Sequence, residues 1–273
     1  MNTVLVVFAG LLGLAIGSFV NVVAYRVPAK ISLLRPSRCP SCNVPIRSWQ
    51  NVPLLSWMLL RGRCAGCAAP ISFRYPATEA VDGLAFALLA WFVPTVPGLS
   101  GVAALLVWSA FAWFAAVSSV LVLIDLDARR LPDVIVLPSY VVALGLLGLA
   151  CLWGAEWSGL LRAAVGMTVM YAAYWLIRRI RPDGMGGGDV KLAGLAGIYL
   201  GWLGWGPLAV GWLAAFLLGG TFAVVLMATG RATRSSRVAF GPWLLAGAWV
   251  GICFGQWLWY SYTAVSGLVV TKG

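Results

Sequence analysis

The chain has 273 residues, 62% of them hydrophobic and only 10% charged, with nineteen Lys and Arg against eight Asp and Glu and no His. Soluble proteins carry about 25% charged residues, so a water-soluble fold is excluded. Without histidine, a Ser-His-Asp triad, a His-ligated catalytic metal and a His general base are excluded as well.

Apolar runs near or above the ~20 residues that cross hydrocarbon recur along the whole sequence. They predict an all-α polytopic membrane protein with about eight transmembrane helices, at 3–25, 77–93, 102–124, 134–153, 160–177, 190–206, 208–228 and 241–260. The first run has neither a basic n-region nor an A-x-A cleavage site, so it is expected to be a retained helix rather than a signal peptide. The 190–228 region leaves room for a re-entrant segment. Trp49, Trp57, Trp157, Trp202 and Trp205 fall near proposed span ends, where amphipathic rings favour the interface. No internal repeat is evident.

Residues 26–76, between the first two spans, form the one extramembrane segment with its own organisation. Cys39-Pro-Ser-Cys42 is followed after 21 residues by Cys64-Ala-Gly-Cys67. Two such knuckles fit a tetrahedral structural zinc site with Cys39, Cys42, Cys64 and Cys67 as ligands. Two disulfides are the alternative, and they are rare in a reducing cytoplasm. A redox role is the other, though no thioredoxin-like βαβ pattern surrounds the motifs. Cys151 and Cys253 stand alone in apolar helices, as inert packing residues would.

Charge orients the chain. If 26–76 is cytoplasmic, so are 125–133, 178–191 and 229–240, and these four regions hold seventeen of the nineteen Lys and Arg. Only Arg162 and Lys272 lie elsewhere. This positive-inside asymmetry puts both termini on the periplasmic side. Attraction to anionic lipid of the bilayer explains the basic excess without a nucleic-acid partner.

The carboxylates are few enough to take singly, because ionisable groups at or inside membrane helices mark functional sites. Asp125 follows Val120-Leu-Val-Leu-Ile124, and Asp189 follows Gly184-Met-Gly-Gly-Gly188. In the derived topology both sit at cytoplasmic helix ends, so they can share one depth. Asp127 lies about 200° around the helix from Asp125 and is expected to pair with Arg129 or Arg130. Asp133 after Pro132 reads as a helix cap, and Asp183 as a solvated loop residue. Glu79 and Asp82 share a face near the start of the second span, where dipole support and ligand binding are both open. Two carboxyls in a partly dry site suit peptide hydrolysis, since like charges at close range cannot both ionise and one acts as base while the other donates. The glycines before Asp189 permit close approach and unusual dihedrals.

Several runs together resemble the type IV prepilin peptidase family. They are Gly17-Ser-Phe-Val-Asn21-Val-Val-Ala-Tyr-Arg26-Val-Pro28, Arg38-Cys-Pro-Ser-Cys42, Asn51-Val-Pro53, Arg61-Gly-Arg-Cys-Ala-Gly-Cys67, Ile71-Ser-Phe-Arg-Tyr-Pro76 with Glu79, Ile124-Asp-Leu-Asp-Ala-Arg-Arg-Leu-Pro-Asp133 and Gly186-Gly-Gly-Asp-Val-Lys191. The resemblance covers residues 10–195 and departs mildly at Val52, where the family usually has Ile. It implies an inner-membrane GxGD-type aspartyl protease that removes the basic leader of prepilins and pseudopilins. Such an enzyme then methylates the new N-terminal amine with S-adenosylmethionine. By the match, Asp125 and Asp189 are the catalytic aspartates and the four cysteines the zinc set. The domains expected are a first transmembrane helix at 1–25, a cytoplasmic four-cysteine zinc-binding domain at 26–76 and a transmembrane aspartyl protease core at 77–273. For the methyl donor, Glu79, Asp82, Asn21 and Arg26 are the candidates. Gly184–Gly188 is not a nucleotide loop, because no strand precedes it. Residues 208–273 carry no motif and rest on hydropathy. The competing reading is a polytopic membrane transporter using intramembrane aspartates, which should show paired helix breaks in two halves.

Overall fold

A computed structural model describes residues 3–96, 98–181, 184–230 and 239–266, so Asp183 and Lys272 fall outside the described residues. Helices α1 (Thr3–Arg26), α3 (Arg74–Phe92), α4 (Gly101–Ala128), α5 (Asp133–Leu152), α6 (Trp157–Ile180), α7 (Gly187–Leu203), α8 (Trp205–Ala228) and α9 (Gly241–Val265) are long, and α2 (Leu55–Leu59) is one short turn. The eight long helices coincide with the eight apolar runs to within a few residues. The largest differences are at the carboxyl ends of α4 and α9. The extension of α4 puts Asp125 and Asp127 inside the helix rather than after it. Six of the eight, α1, α3, α4, α5, α6 and α8, are long and apolar enough to cross a membrane. No extended strand occurs among the described residues. The 190–228 region is two helices meeting at Gly204, whose φ of +141° only glycine adopts easily.

The chain divides into two compact units, Met1–Ile124 and Asp125–Gly273. In the first, α1 lies along α3. A Cβ at Gly17 would stand 2.7 Å from the Glu79 Cα, so small residues let the two backbones meet. Asn21 Nδ2 joins them by donating to the carbonyls of Gly17 at 3.1 Å and Tyr75 at 3.3 Å. Trp108 Nε1 ties α4 to α3 through the Phe86 carbonyl at 3.2 Å.

In the second unit α7 is the central helix. From Val190 to Gly201 nearly all its residues are buried, with α6 packed along its length and α5, α8 and α9 around it. The close α6–α7 approach depends on Gly166, where a Cβ would stand 2.5 Å from the Gly197 carbonyl oxygen. Because protein rather than lipid surrounds α7, its sequence holds small residues in place of a long leucine-rich run. Cys151 is buried as expected, but Cys253 is exposed on α9 and does not pack into the core.

Candidate active site and metal centre

In the cysteine segment the four Sγ atoms lie within 4.8 Å of one another. A tetrahedral zinc at about 2.3 Å from each sulfur would separate the sulfurs by about 3.8 Å. The Cys39 and Cys67 sulfurs are 3.8 Å apart, and all four thiols are free, which sets the disulfide alternative aside. The two knuckles are built alike. The Cys39 amide bonds to the Val44 carbonyl at 3.0 Å and the Cys64 amide to the Ala69 carbonyl at 2.8 Å. Bridges join Arg38 to Pro45 and Arg63 to Pro70, and φ is positive at Asn43 and at Ala68. The pattern Arg-Cys-x-x-Cys-x-x-Pro-Ile thus occurs twice, at 38–46 and 63–71. This is an internal repeat, contrary to the expectation of none; it is short and shares few side chains outside the motif.

The thiols do not titrate alike. The Cys42 and Ser41 amides hold Cys39 down at about 6. Cys67 receives an amide bond from Ala69, yet its crowded neighbours Cys42, Cys64 and Cys39 push it up to about 12. Four thiolates cannot share this space without a cation to neutralise them, and the donor set fits a soft tetrahedral ion.

Around this segment the methyl-donor candidates are engaged in holding the fold. Arg26 is buried and donates to the carbonyls of Ser32, Leu33 and Arg35 and to Ser37 Oγ, which clamps the start of the segment to α1. Glu79 Oε2 accepts the Leu54 amide at 2.8 Å, ahead of α2, where Leu54 has φ 58°. Asp82 is fully buried and accepts from Ser119 Oγ at 2.8 Å, its Oδ2 unpaired. Neither acid lies in the first turn of α3, so the dipole reading gives way to these tertiary bonds. Of the four candidates only Arg26 borders the cavity of about 360 Å³ between α1 and the segment. That cavity is lined by Arg26 and Arg35 and by no carboxylate. Asn21, Glu79 and Asp82 are thus not brought to that cavity beside Arg26.

Asp125 and Asp189 are both buried polar groups of the second unit and lie within electrostatic reach of each other. Asp189 is the third residue of α7, where its Oδ2 accepts the Gly186 amide at 3.0 Å and closes the helix start. Each glycine before it admits a different neighbour. A Cβ would stand 3.1 Å from Asp189 Oδ2 at Gly186, 2.9 Å from Arg178 Nη1 at Gly187 and 2.8 Å from Leu131 Cβ at Gly188. Close approach is therefore what these glycines supply; the φ of −72° at Gly186 is ordinary.

Asp125 Oδ2 has no hydrogen-bond partner, and it rests 2.7 Å from where a Gly241 Cβ would be. Leu131 packs against both Gly188 and Gly241 and so links the surroundings of the two acids. Tyr174, fully buried with an unpaired hydroxyl, lies within electrostatic reach of Asp189 and stacks near Phe216 and Phe240. Tyr174, Arg178 and Gly241 carried no signal in the sequence beyond their types, and Leu131 only its place in the run 124–133. Asp127 is exposed while Asp125 is buried, as their separation around α4 requires. Asp133 is not a cap. Pro132 takes the cap position, and both Asp133 oxygens meet Lys191 Nζ at 2.7 Å. The ammonium of α7 draws the carboxylate across, where a self-cap would have held it to α5.

Two buried carboxyls in a chain without histidine can share one proton and polarise water when they come together. Residues 109–225 match the type IV leader peptidase family and residues 11–93 the bacterial peptidase A24 N-terminal domain. The chain is similar to the prepilin leader peptidase/N-methyltransferase of Stutzerimonas stutzeri, at 35% identity over 94% of this chain and 93% of the relative. The protein of the same name from Aeromonas hydrophila is 35% identical over 92% and 91%. That from Neisseria gonorrhoeae is 34% identical over 92% and 91%. No solved structure matches the chain. Matched over nearly its whole length by relatives themselves matched over nearly all of theirs, the chain belongs to the type IV leader peptidase family.

Proposed function

We propose that this protein is a bifunctional prepilin leader peptidase and N-methyltransferase of the bacterial inner membrane. Its substrates are prepilins and pseudopilins, cut at the cytoplasmic face by Asp125 and Asp189. The observation that carries the reading is the pair of buried carboxyls in a chain without histidine. One carboxylate takes a proton from water as its oxygen adds to the scissile carbonyl carbon, while the protonated partner donates to the carbonyl oxygen. Collapse of the tetrahedral species breaks the C–N bond, and the amine leaves with a proton returned from the pair. The product amine is then methylated from S-adenosylmethionine, for which Glu79, Asp82, Asn21 and Arg26 are the candidate residues.

Eight crossings, with 26–76 as a cytoplasmic zinc domain, 77–273 as the protease core and both termini periplasmic, agree with the basic loops. A transporter would not share this family's relatives and is set aside. The test is incubation of the purified protein, in detergent, with a prepilin carrying its leader, read by intact mass. Loss of the leader, followed by gain of one methyl group when S-adenosylmethionine is added, is expected. Intact prepilin after incubation with folded, zinc-loaded protein would overturn the reading.

A further inference from the structure

We propose that Gly241, the first residue of α9, positions the Asp125 carboxylate for cleavage, which makes the start of α9 a wall of the active site. The proposal rests on the aspartate-pair reading of Asp125 and Asp189. Helix α9 lies beyond residue 225, where the match to the family model ends, and no motif was read within its sequence.

Three observations converge on this residue. Space comes first: Asp125 Oδ2 occupies the volume a side chain at 241 would fill, 2.7 Å from the Cβ position, with Asp125 Cγ at 3.3 Å. Any residue other than glycine must displace the carboxylate or the helix.

The second is the amide. In the first turn of α9 the next residue, Pro242, has no N–H, and the Trp243 and Leu244 amides both donate to the Phe240 carbonyl at 3.0 Å. The Gly241 N–H is left over from the helix and faces the Asp125 carboxylate, whose Oδ2 is otherwise unpaired. A helix start also favours a negative charge through its aligned peptide dipoles.

The third is anchoring. Phe240 is fixed in a ring cluster, 6.1 Å from Tyr174 and 5.6 Å from Phe216, and Tyr174 is the residue within electrostatic reach of Asp189. Leu131 fills the remaining side, 3.5 Å from the Gly241 Cβ position, while also touching Gly188. The start of α9 is thereby tied to the surroundings of both acids.

Gly241→Ala tests the proposal in the full-length protein, against Gly220→Ala, which places a Cβ where nothing lies within 4 Å. Displacing a reacting group by roughly an ångström can cost about 100-fold in rate. Gly241→Ala is therefore expected to lower kcat for leader cleavage about 10- to 100-fold with KM within about twofold. Its melting midpoint and its methylation of a pre-cleaved pilin should match the unchanged protein. Wild-type kcat in Gly241→Ala would overturn the proposal, and so would a kcat loss accompanied by an equal loss of methyl transfer. If the unchanged protein itself leaves prepilin uncut, the functional reading fails instead. Should Gly241→Ala not accumulate, Asp125→Cys with Gly241→Cys decides the matter by mild oxidation and peptide mass. A 125–241 cross-link supports the contact, and its absence overturns it.

Discussion

At Asp189 the carboxylate that closes the first turn of α7, by accepting the Gly186 amide, is the one that faces Asp125 electrostatically. Replacement by asparagine keeps an acceptor oxygen for the Gly186 amide, so the helix start should survive while the acid–base function is lost. Asp125→Asn replaces a buried carboxylate, whose Oδ2 has no hydrogen-bond partner, with little change in volume. Each substitution is expected to lower cleavage by about 10²–10⁴-fold, the worth of one general acid or base. Asp127→Asn, at an exposed position on the same helix, should keep most of the activity. Near-normal cleavage of a prepilin by Asp189→Asn at normal expression would end the aspartate-pair mechanism. The two acids could be picked out from the sequence because so few carboxylates border apolar runs. The glycines before Asp189 could be read as close-approach positions, but not which neighbours come close. Leu131 and Arg178 reach them from distant parts of the chain, and such pairing leaves no local pattern. The same holds for Gly241, whose need to lack a side chain arises only from where Asp125 ends up.

The cysteine segment shows the same division at the level of an element. Spacing alone was enough to assemble four sulfurs around one point. The repeat that builds them, Arg-Cys-x-x-Cys-x-x-Pro-Ile, is visible in the sequence only once the paired turns show which residues correspond. The segment has little core of its own and leans on α1 and α3 through Arg26 and Glu79. About one zinc per chain is therefore expected by elemental analysis, and Cys39→Ser, Cys42→Ser, Cys64→Ser or Cys67→Ser should lose it. Binding energy in such a site is folding energy, so the loss should expose 26–76 to protease while the long helices stay folded. Zinc-free protein after preparation under reducing conditions would contradict this. A finer outcome follows from the repeat. Asn43 and Ala68 hold equivalent places at φ 59° and 57°, a conformation that asparagine tolerates and alanine does not. Left-handed backbone costs an ordinary residue about 1–2 kcal/mol. Ala68→Gly should accordingly slow zinc loss to a chelator several-fold, and faster loss would show that the turn is not strained.

For the whole molecule the open quantity is how many of the eight long helices cross the bilayer. Hydropathy located all eight because lipid contact demands apolar side chains, and it is least decisive for the helix that lipid touches least. At 17 residues α7 spans about 26 Å, just short of the ~30 Å hydrocarbon core. Its small, buried residues face other helices, so composition cannot say whether it crosses. Loop charge can. Arg231, Arg234 and Arg237 lie between α8 and α9, outside the described residues, and the basic residues of 178–191 lie before α7. If α7 and α8 both cross, these two loops share a side with each other and with the cysteine segment. If α7 stays on one side, α8 carries the second loop to the opposite face, against the positive-inside preference. Alkaline phosphatase, which is active only when exported, distinguishes the two arrangements. Fusions within 40–70, and within 229–240, are expected to be inactive, and a fusion at Gly154 between α5 and α6 active. Activity at 229–240 with silence at 40–70 would leave α7 as a re-entrant helix, and Asp189 would then sit at a hairpin rather than at the mouth of a span. Activity at 40–70 would invert the molecule and remove both acids from the cytoplasmic face, where a basic leader is held by the positive-inside rule before export.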